Sequence, residues 1–284
     1  MKNRKFEHWY VDSGYFQSED YKLNNKIALE ISKKGYREIS QKYTHIKPSE
    51  IAYVLKMSDK VYDALSGSGI DLGGGVGSVS SAVAKSESVD NIICLEITEN
   101  CVTKCHPIVI PEILKDKHTK VKSVIGDFDN LLLQSCSLDF AIAWDSIHHS
   151  NNVVQTLSEV NRVLKDNGHL IIIDRGHDNS TSDREIERML SVRYTEEFLI
   201  ENYLPKDKIL TRRDNGEHEY KYEQWEDFFK SSGFEVEASL IVKENHEKNF
   251  ESKNDANIEE KFVEFELGGF ECKKIIYLLK KCEK

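Results

Sequence analysis

Three glycines set apart by single residues, in Gly69-Ile70-Asp71-Leu72-Gly73-Gly74-Gly75-Val76-Gly77-Ser78, restrict this chain more than any other stretch. An apolar run enters them and a helix-like stretch follows, so the segment reads as strand, turn and helix. Nineteen residues after Gly77, Glu96 closes the apolar run Ile92-Ile93-Cys94-Leu95, which reads as a second strand. Glycine lets the turn adopt positive φ and lets backbone approach a ligand with no Cβ between them. A carboxylate at the tip of the next strand is placed to accept from both hydroxyls of a ribose. The pattern is the nucleoside-binding half of a doubly wound α/β sheet.

The glycine spacing separates two ligand classes. A dinucleotide fingerprint needs glycine at i, i+2 and i+5, and counting from Gly73 the third position is Ser78. What stands here is G-x-G-x-G. The run Asp71 to Gly77 resembles the first motif of the class I S-adenosylmethionine-dependent methyltransferases, of the small-molecule type. Three further segments follow in that family's order. Val121 to Phe128 reads as a third strand ending in Gly126-Asp127, and Ser137 to His149 as an apolar strand that starts at Asp139 and breaks into Trp144, Asp145, His148 and His149. Arg162 to Ile172 is similar to the family's "R-V-L-K-x-G-G-x-L" stretch, with Asn167 where proline or glycine is frequent.

The resemblance covers about residues 66 to 175 and carries several expectations. It implies a seven-stranded, mostly parallel sheet of order 3-2-1-4-5-7-6 with strand seven antiparallel, and S-adenosyl-L-methionine as cofactor, leaving as S-adenosyl-L-homocysteine. Asp71, Gly73, Gly75 and Gly77 would form the donor loop, Glu96 would hold the ribose, Asp127 the adenine amine, and Phe128 would pack on the ring. Trp144 and Asp145 would line the strand end. The reaction would be an in-line displacement on an oxygen or nitrogen acceptor. His148 or His149, at the carboxyl ends of the strands, would serve as base, with His148 preferred; either is equally a histidine that only fixes its loop. Two other readings stand beside this one, an NAD(P)-dependent oxidoreductase on a related half-sheet and a non-catalytic AdoMet-binding partner protein. The missing third glycine counts against the first.

Composition narrows the partners. A net charge of −10 disfavours long nucleic acid, whose phosphates need a basic surface. No apolar run nears the eighteen residues of a membrane span, and Met1 to Trp9 is polar and of mixed charge, so neither membrane segment nor signal peptide is expected and the cytoplasm is the default location. Cysteines 94, 101, 105, 136, 272 and 282 form no C-x-x-C pair. Cys101, Cys105, His106 and His118 are too loosely spaced for zinc, so reduced thiols and no metal are expected. Oligomeric state is not readable.

Outside the four motifs, residues 1–65 are expected as an N-terminal helical cap, with helices over Lys22 to Gln41 and from Pro48, and 66–284 as the AdoMet-binding domain. Aromatics between Phe6 and Phe16 are placed to cover the sulfonium or to pack on the sheet edge. Residues from about 175 to 232 exceed what a single crossover needs and read as an acceptor-site cover, including a helix over Asp183 to Ile200. Strands are expected over Phe234 to Val242 and Lys274 to Lys280, joined by a mobile polar loop from Lys243 to Lys261. Arg188, Arg193, Arg212 and Arg213 sit in the cover; clusters of this kind are usually solvated faces, and the sharper expectation is that at least one faces the cleft and selects an anionic small molecule. The whole resembles bacterial methyltransferases acting on secondary metabolites or cell-surface sugars, phosphoramidate precursors included.

Overall fold

The computed structural model describes residues 6–9, 11–42, 48–242 and 273–282. Eight strands form one sheet: β1 (Glu7–His8), β2 (Gly67–Leu72), β3 (Val89–Glu96), β4 (Val121–Ile125), β5 (Leu138–Trp144), β6 (Leu164–Gly176), β7 (Phe234–Ile241) and β8 (Lys273–Lys281), in the order β1-β4-β3-β2-β5-β6-β8-β7. Strands β2 to β8 reproduce the expected order, and β8 runs antiparallel to both neighbours. The eighth strand is new: β1 lies parallel against the outer edge of β4, with Trp9 N–H donating to the Ile125 carbonyl at 2.8 Å.

The central strands read as unbroken apolar runs because both faces are covered. Side chains alternate between the faces. Ile70, Leu72, Ala141, Ala143, Leu170 and Ile172 pack on one side with α7 (Val153–Val163) and α10 (Tyr222–Ser231). Phe140, Ile142, Ile171 and Ile173 pack on the other with α3 (Pro48–Leu55), α4 (Asp59–Ala64), α5 (Ser78–Ala84) and α6 (His106–Leu114). A third core joins α1 (Glu19–Ser32) and α2 (Tyr36–Lys42) to the π-helical turn Cys101–Cys105 and to Leu199, Leu204 and Leu210 of the cover. The N-terminal helices and the cover thus grip each other across one end of the sheet.

Two expected helices are each broken in two. The stretch from Lys22 to Gln41 is α1 and α2, divided at Gly35, whose φ of 83° ends a helix in the left-handed region. The stretch from Asp183 to Ile200 is α8 (Asp183–Leu190) and α9 (Glu196–Glu201), because Thr195 caps a fresh start by accepting from Phe198 N–H at 3.2 Å. Strand β6 begins at Leu164, five residues before the expected His169, around an irregularity in its pairing with β5. The expected loop from Lys243 to Lys261, and Cys272, lie outside the described residues. No helix among the described residues is long and apolar enough to cross a membrane.

Candidate functional site

The turn after β2 has its geometry fixed by its own backbone and by the side chains packed against it. Gly73, Gly75 and Gly77 take φ of 70°, 54° and 88°, a region that strains residues with a Cβ. A Cβ on Gly73 would also stand 2.7 Å from the Cβ of Ser146. From below, His106 Nε2–H donates to the Gly75 carbonyl at 2.9 Å while its Nδ1 accepts from Ser123 Oγ at 2.9 Å. Burial lowers this imidazole to about 4 and keeps it neutral, so α6 braces the loop without bringing charge to it.

Glu96 closes the turn from the next strand. Its Oε2 accepts from Gly75 N–H at 2.9 Å and its Oε1 from Thr98 N–H at 2.7 Å, which leaves each oxygen a lone pair for one hydroxyl of a diol. Burial raises its pKa, and the two amides together with the Thr98 hydroxyl work against that. Asp71 Oδ2 accepts from Ser80 Oγ at 2.6 Å, while Asp71 Oδ1 and Ser78 Oγ are buried with no hydrogen-bond partner among the described residues. Asp127 Oδ1 accepts from Asp129 N–H at 2.9 Å, and the residue lines a groove of about 540 Å³ with Asp12, Gln155 and Arg162. Phe128 reaches the edge of the turn near Gly73, and Trp9 covers Gly126. Glycine cradle, paired carboxylate lone pairs and unmatched buried oxygens suit an adenosyl amino acid with a cationic end.

Burial lifts Asp71 to about 7, against the Ser80 bonds that favour its ionised form. A carboxyl whose folded value lies above its ordinary 3.8 favours folding at low pH and loses that contribution as pH rises through about 7. In the absence of donor, Asp71→Asn should therefore raise Tm above the parent's at pH 8, and the gap should close as pH falls toward 4. Equal Tm differences at the two pH values, measured by calorimetry, would remove the buried-charge account.

Beside this loop the ends of β5 and β6 meet the cover. Ser146 Oγ donates to the Leu72 carbonyl at 2.7 Å and joins the two loops. Asp145, at φ 47°, turns the chain out of the sheet and forms an ion pair with Lys274 of β8. His148 is buried, its Nδ1–H donating to Asp174 Oδ1 at 2.6 Å and its Nε2 lying 3.4 Å from Glu217 Oε2. Burial alone would lower His148, yet the Asp174 and Glu217 carboxylates outweigh it and raise the imidazole to about 9. His149 is half-buried, and its Nδ1–H donates to the Gly216 carbonyl at 2.9 Å, which leaves Nε2 as the nitrogen with a free lone pair. Burial, then the neighbouring His148 charge, lowers it to about 4.

Around the two rings lies a charged network no motif announced. Arg175 pairs with Glu217, Arg212 with Glu219, and His177 Nε2 with Glu219 Oε2 at 2.6 Å. Asp20 of α1 borders Gly216 and lies within electrostatic reach of both Glu96 and Glu217; burial raises it to about 6. Tyr15 shares that environment with Asp20, Glu96 and Asp127, so one N-terminal aromatic stands between the donor loop and the cluster. Trp144 is buried within the core. Arg188, Arg193 and Arg213 have exposed side chains, Arg213 paired with Glu187. Arg212 alone of the four expected arginines is buried, at 5% exposure.

Residues 70–172 match the methyltransferase domain family. No curated protein sequence matches the chain. Among solved structures, an S-adenosylmethionine-dependent methyltransferase from Clostridium acetobutylicum ATCC 824 is 12% identical with a TM-score of 0.55, over 84% of this chain and 93% of that one. One from Methanosarcina mazei is 14% identical with a TM-score of 0.51, over 80% and 99%. A candidate sarcosine dimethylglycine methyltransferase from Galdieria sulphuraria is 18% identical with a TM-score of 0.49 over 68% of this chain, which spans only 61% of that protein's length. At these identities the structural likeness concerns the fold.

Proposed function

We propose that this chain, a class I S-adenosylmethionine-dependent methyltransferase by its match over residues 70–172, transfers the donor's methyl group to an oxygen or nitrogen of a small polar molecule held beneath residues 175–232. The observation that carries the acceptor reading is where partnerless buried polar atoms fall. Buried polar atoms are normally paired, so each exception needs a reason. Among the described residues there are seven: Asp71 Oδ1 and Ser78 Oγ belong to the donor loop, and Asp20 Oδ1, Asp145 Oδ1, Arg175 Nε, Arg212 Nε and Asn215 Oδ1 to the segments that surround His148 and His149. The unmatched set holds both donors and acceptors. Glu217 and Glu219 already offset Arg175 and Arg212, so a fitting acceptor is polar and needs no negative charge of its own.

When bound, S-adenosylmethionine supplies an electrophilic methyl carried on a sulfonium. The chain's part is to align it with the acceptor, a contribution of several kcal/mol. Glu96 and the glycine turn hold the nucleoside end while the loop tied by Ser146 to Leu72 brings His149 alongside. The acceptor's proton passes to His149 Nε2, the nitrogen its Gly216 bond leaves bare, while His148, engaged by Asp174, holds the loop.

The test is a thermal-shift comparison with S-adenosylhomocysteine, NAD and NADP, followed by measurement of S-adenosylhomocysteine release against a panel of small hydroxyl and amine compounds. At a hundred times its dissociation constant a ligand stabilises by about 2.7 kcal/mol, an easily resolved shift. Stabilisation by S-adenosylhomocysteine alone is expected. A shift with NAD or NADP and none with S-adenosylhomocysteine would sink the donor assignment, and turnover confined to protein or nucleic-acid substrates would sink the acceptor class.

A further inference from the structure

The three groups beside the acceptor position have the composition of a metal site, and we infer that His148, His149 and Glu217 bind one divalent transition-metal ion. A ring nitrogen of each histidine and a Glu217 oxygen all lie within 4.8 Å of one another. The separation of His148 Nε2 from Glu217 Oε2, 3.4 Å, matches the edge of about 3.3 Å between two ligands of a tetrahedral ion bound at about 2.0–2.1 Å. The outer hydrogen bonds point the same way. Metal-binding histidines hold their second N–H on a carboxylate or a backbone carbonyl, which fixes tautomer and ring plane. Here Asp174 Oδ1 holds the Nδ1–H of His148 and the Gly216 carbonyl holds that of His149, so in both rings Nε2 is the nitrogen left to coordinate.

Charge agrees. Among the described residues, Asp20, Asp145, Asp174, Glu217 and Glu219 lie with three permanent cations, Arg175, Arg212 and Lys274, so once an ion displaces the proton from His148 Nε2 these groups are two negative charges in excess. One divalent ion cancels that excess. Two imidazoles and one carboxylate select zinc, iron(II), manganese(II) or cobalt(II) over magnesium or calcium, and three protein ligands leave coordination positions open. Glu217 also pairs with Arg175 and Arg212, so the ion would share its carboxylate with two guanidinium groups.

The inference rests on the reading of this cluster as the place where the acceptor is activated, and it changes how. An acceptor O–H or N–H bound to the ion releases its proton to water, and the freed lone pair forms the new bond to the methyl carbon as the carbon–sulfur bond breaks with its electrons kept by sulfur. His149 is then a ligand and no longer the base.

Full-length protein stripped with a chelator and titrated with Co²⁺ tests this. One saturable equivalent of visible d–d absorption is expected, with two exchangeable proton resonances shifted far downfield, from the Nδ1–H groups of the coordinated imidazoles. Asp174→Asn should weaken cobalt by about 10–100-fold, the usual loss when a ligand's hydrogen-bond partner goes, and Glu217→Gln by at least as much. A thermal shift with S-adenosylhomocysteine, run on every form, reports the donor half separately. Absence of shifted imidazole resonances in the unmutated protein overturns the metal site even if S-adenosylhomocysteine binds normally, and cobalt binding unchanged in both variants overturns it equally. Failure of S-adenosylhomocysteine to stabilise any form strikes instead at the methyltransferase reading.

Discussion

Alanine in place of His149 should lower kcat by roughly 10²–10⁴, the range for losing a group that handles the acceptor's proton, while S-adenosylhomocysteine affinity stays within twofold. Both routes considered for the cluster give this result. They part on rescue: added imidazole should restore turnover if Nε2 acts as a base, whereas a chelator should abolish turnover in the unmutated enzyme if it acts as a ligand. Rates are read as S-adenosylhomocysteine released in the presence of an acceptor. Turnover within threefold of the parent would mean that His149 merely seats the cover through Gly216.

The other large effect belongs to Glu96. Hydrogen bonds to a charged group contribute about 1.5–3 kcal/mol each, so losing both ribose hydroxyl contacts in Glu96→Ala should weaken S-adenosylhomocysteine at least a hundredfold by calorimetry. A second cost falls on the protein itself. Gly75 and Thr98 N–H lose their acceptor, and an unpaired buried donor costs about 1–3 kcal/mol, so Tm should fall as well. Glu96→Gln keeps one oxygen and should recover part of both losses. Unchanged affinity in the alanine variant would remove the ribose role.

The glycine turn and the carboxylate beside it were legible in the sequence because their determinants are local. Gly73, Gly75 and Gly77 follow a strand directly, and Glu96 ends the next one, so short-range pattern and strand order suffice to place them. The charged cluster around His148 and His149 was not, because its partners lie far apart in the chain. His148 meets Asp174 across two strand ends, and Glu217 reaches it only after the cover has folded back. Faint signals existed: Asp174 occupies the carboxyl end of an apolar strand, the position where ligands gather in such sheets, and Glu217 and Glu219 alternate with His218 so that both face one side. Nothing in the arginine spacing distinguished Arg212, which burial against Glu219 alone sets apart from its exposed neighbour Arg213. Strand β1 escaped for a different reason. Two residues are too few to show a period, and only the exposed edge of β4 recruits them.

The rigidity of the glycine turn carries over into the order of events in a catalytic cycle. Three backbone positions held at positive φ, a neutral His106 beneath and Ser146 behind fix the shape of the glycine turn, so on the proposed reading its grip would be the same before and after the methyl has gone. Substrate and spent cofactor differ by one methyl and one charge at the sulfur, away from the ribose that Glu96 would hold. Selective expulsion of the spent cofactor must then come from the other side, where Asp20, Tyr15 and the Gly216 turn meet over the cluster. The slow step of turnover is expected to be the parting of the N-terminal helices from the cover, and inhibition by accumulated product is its expected kinetic signature.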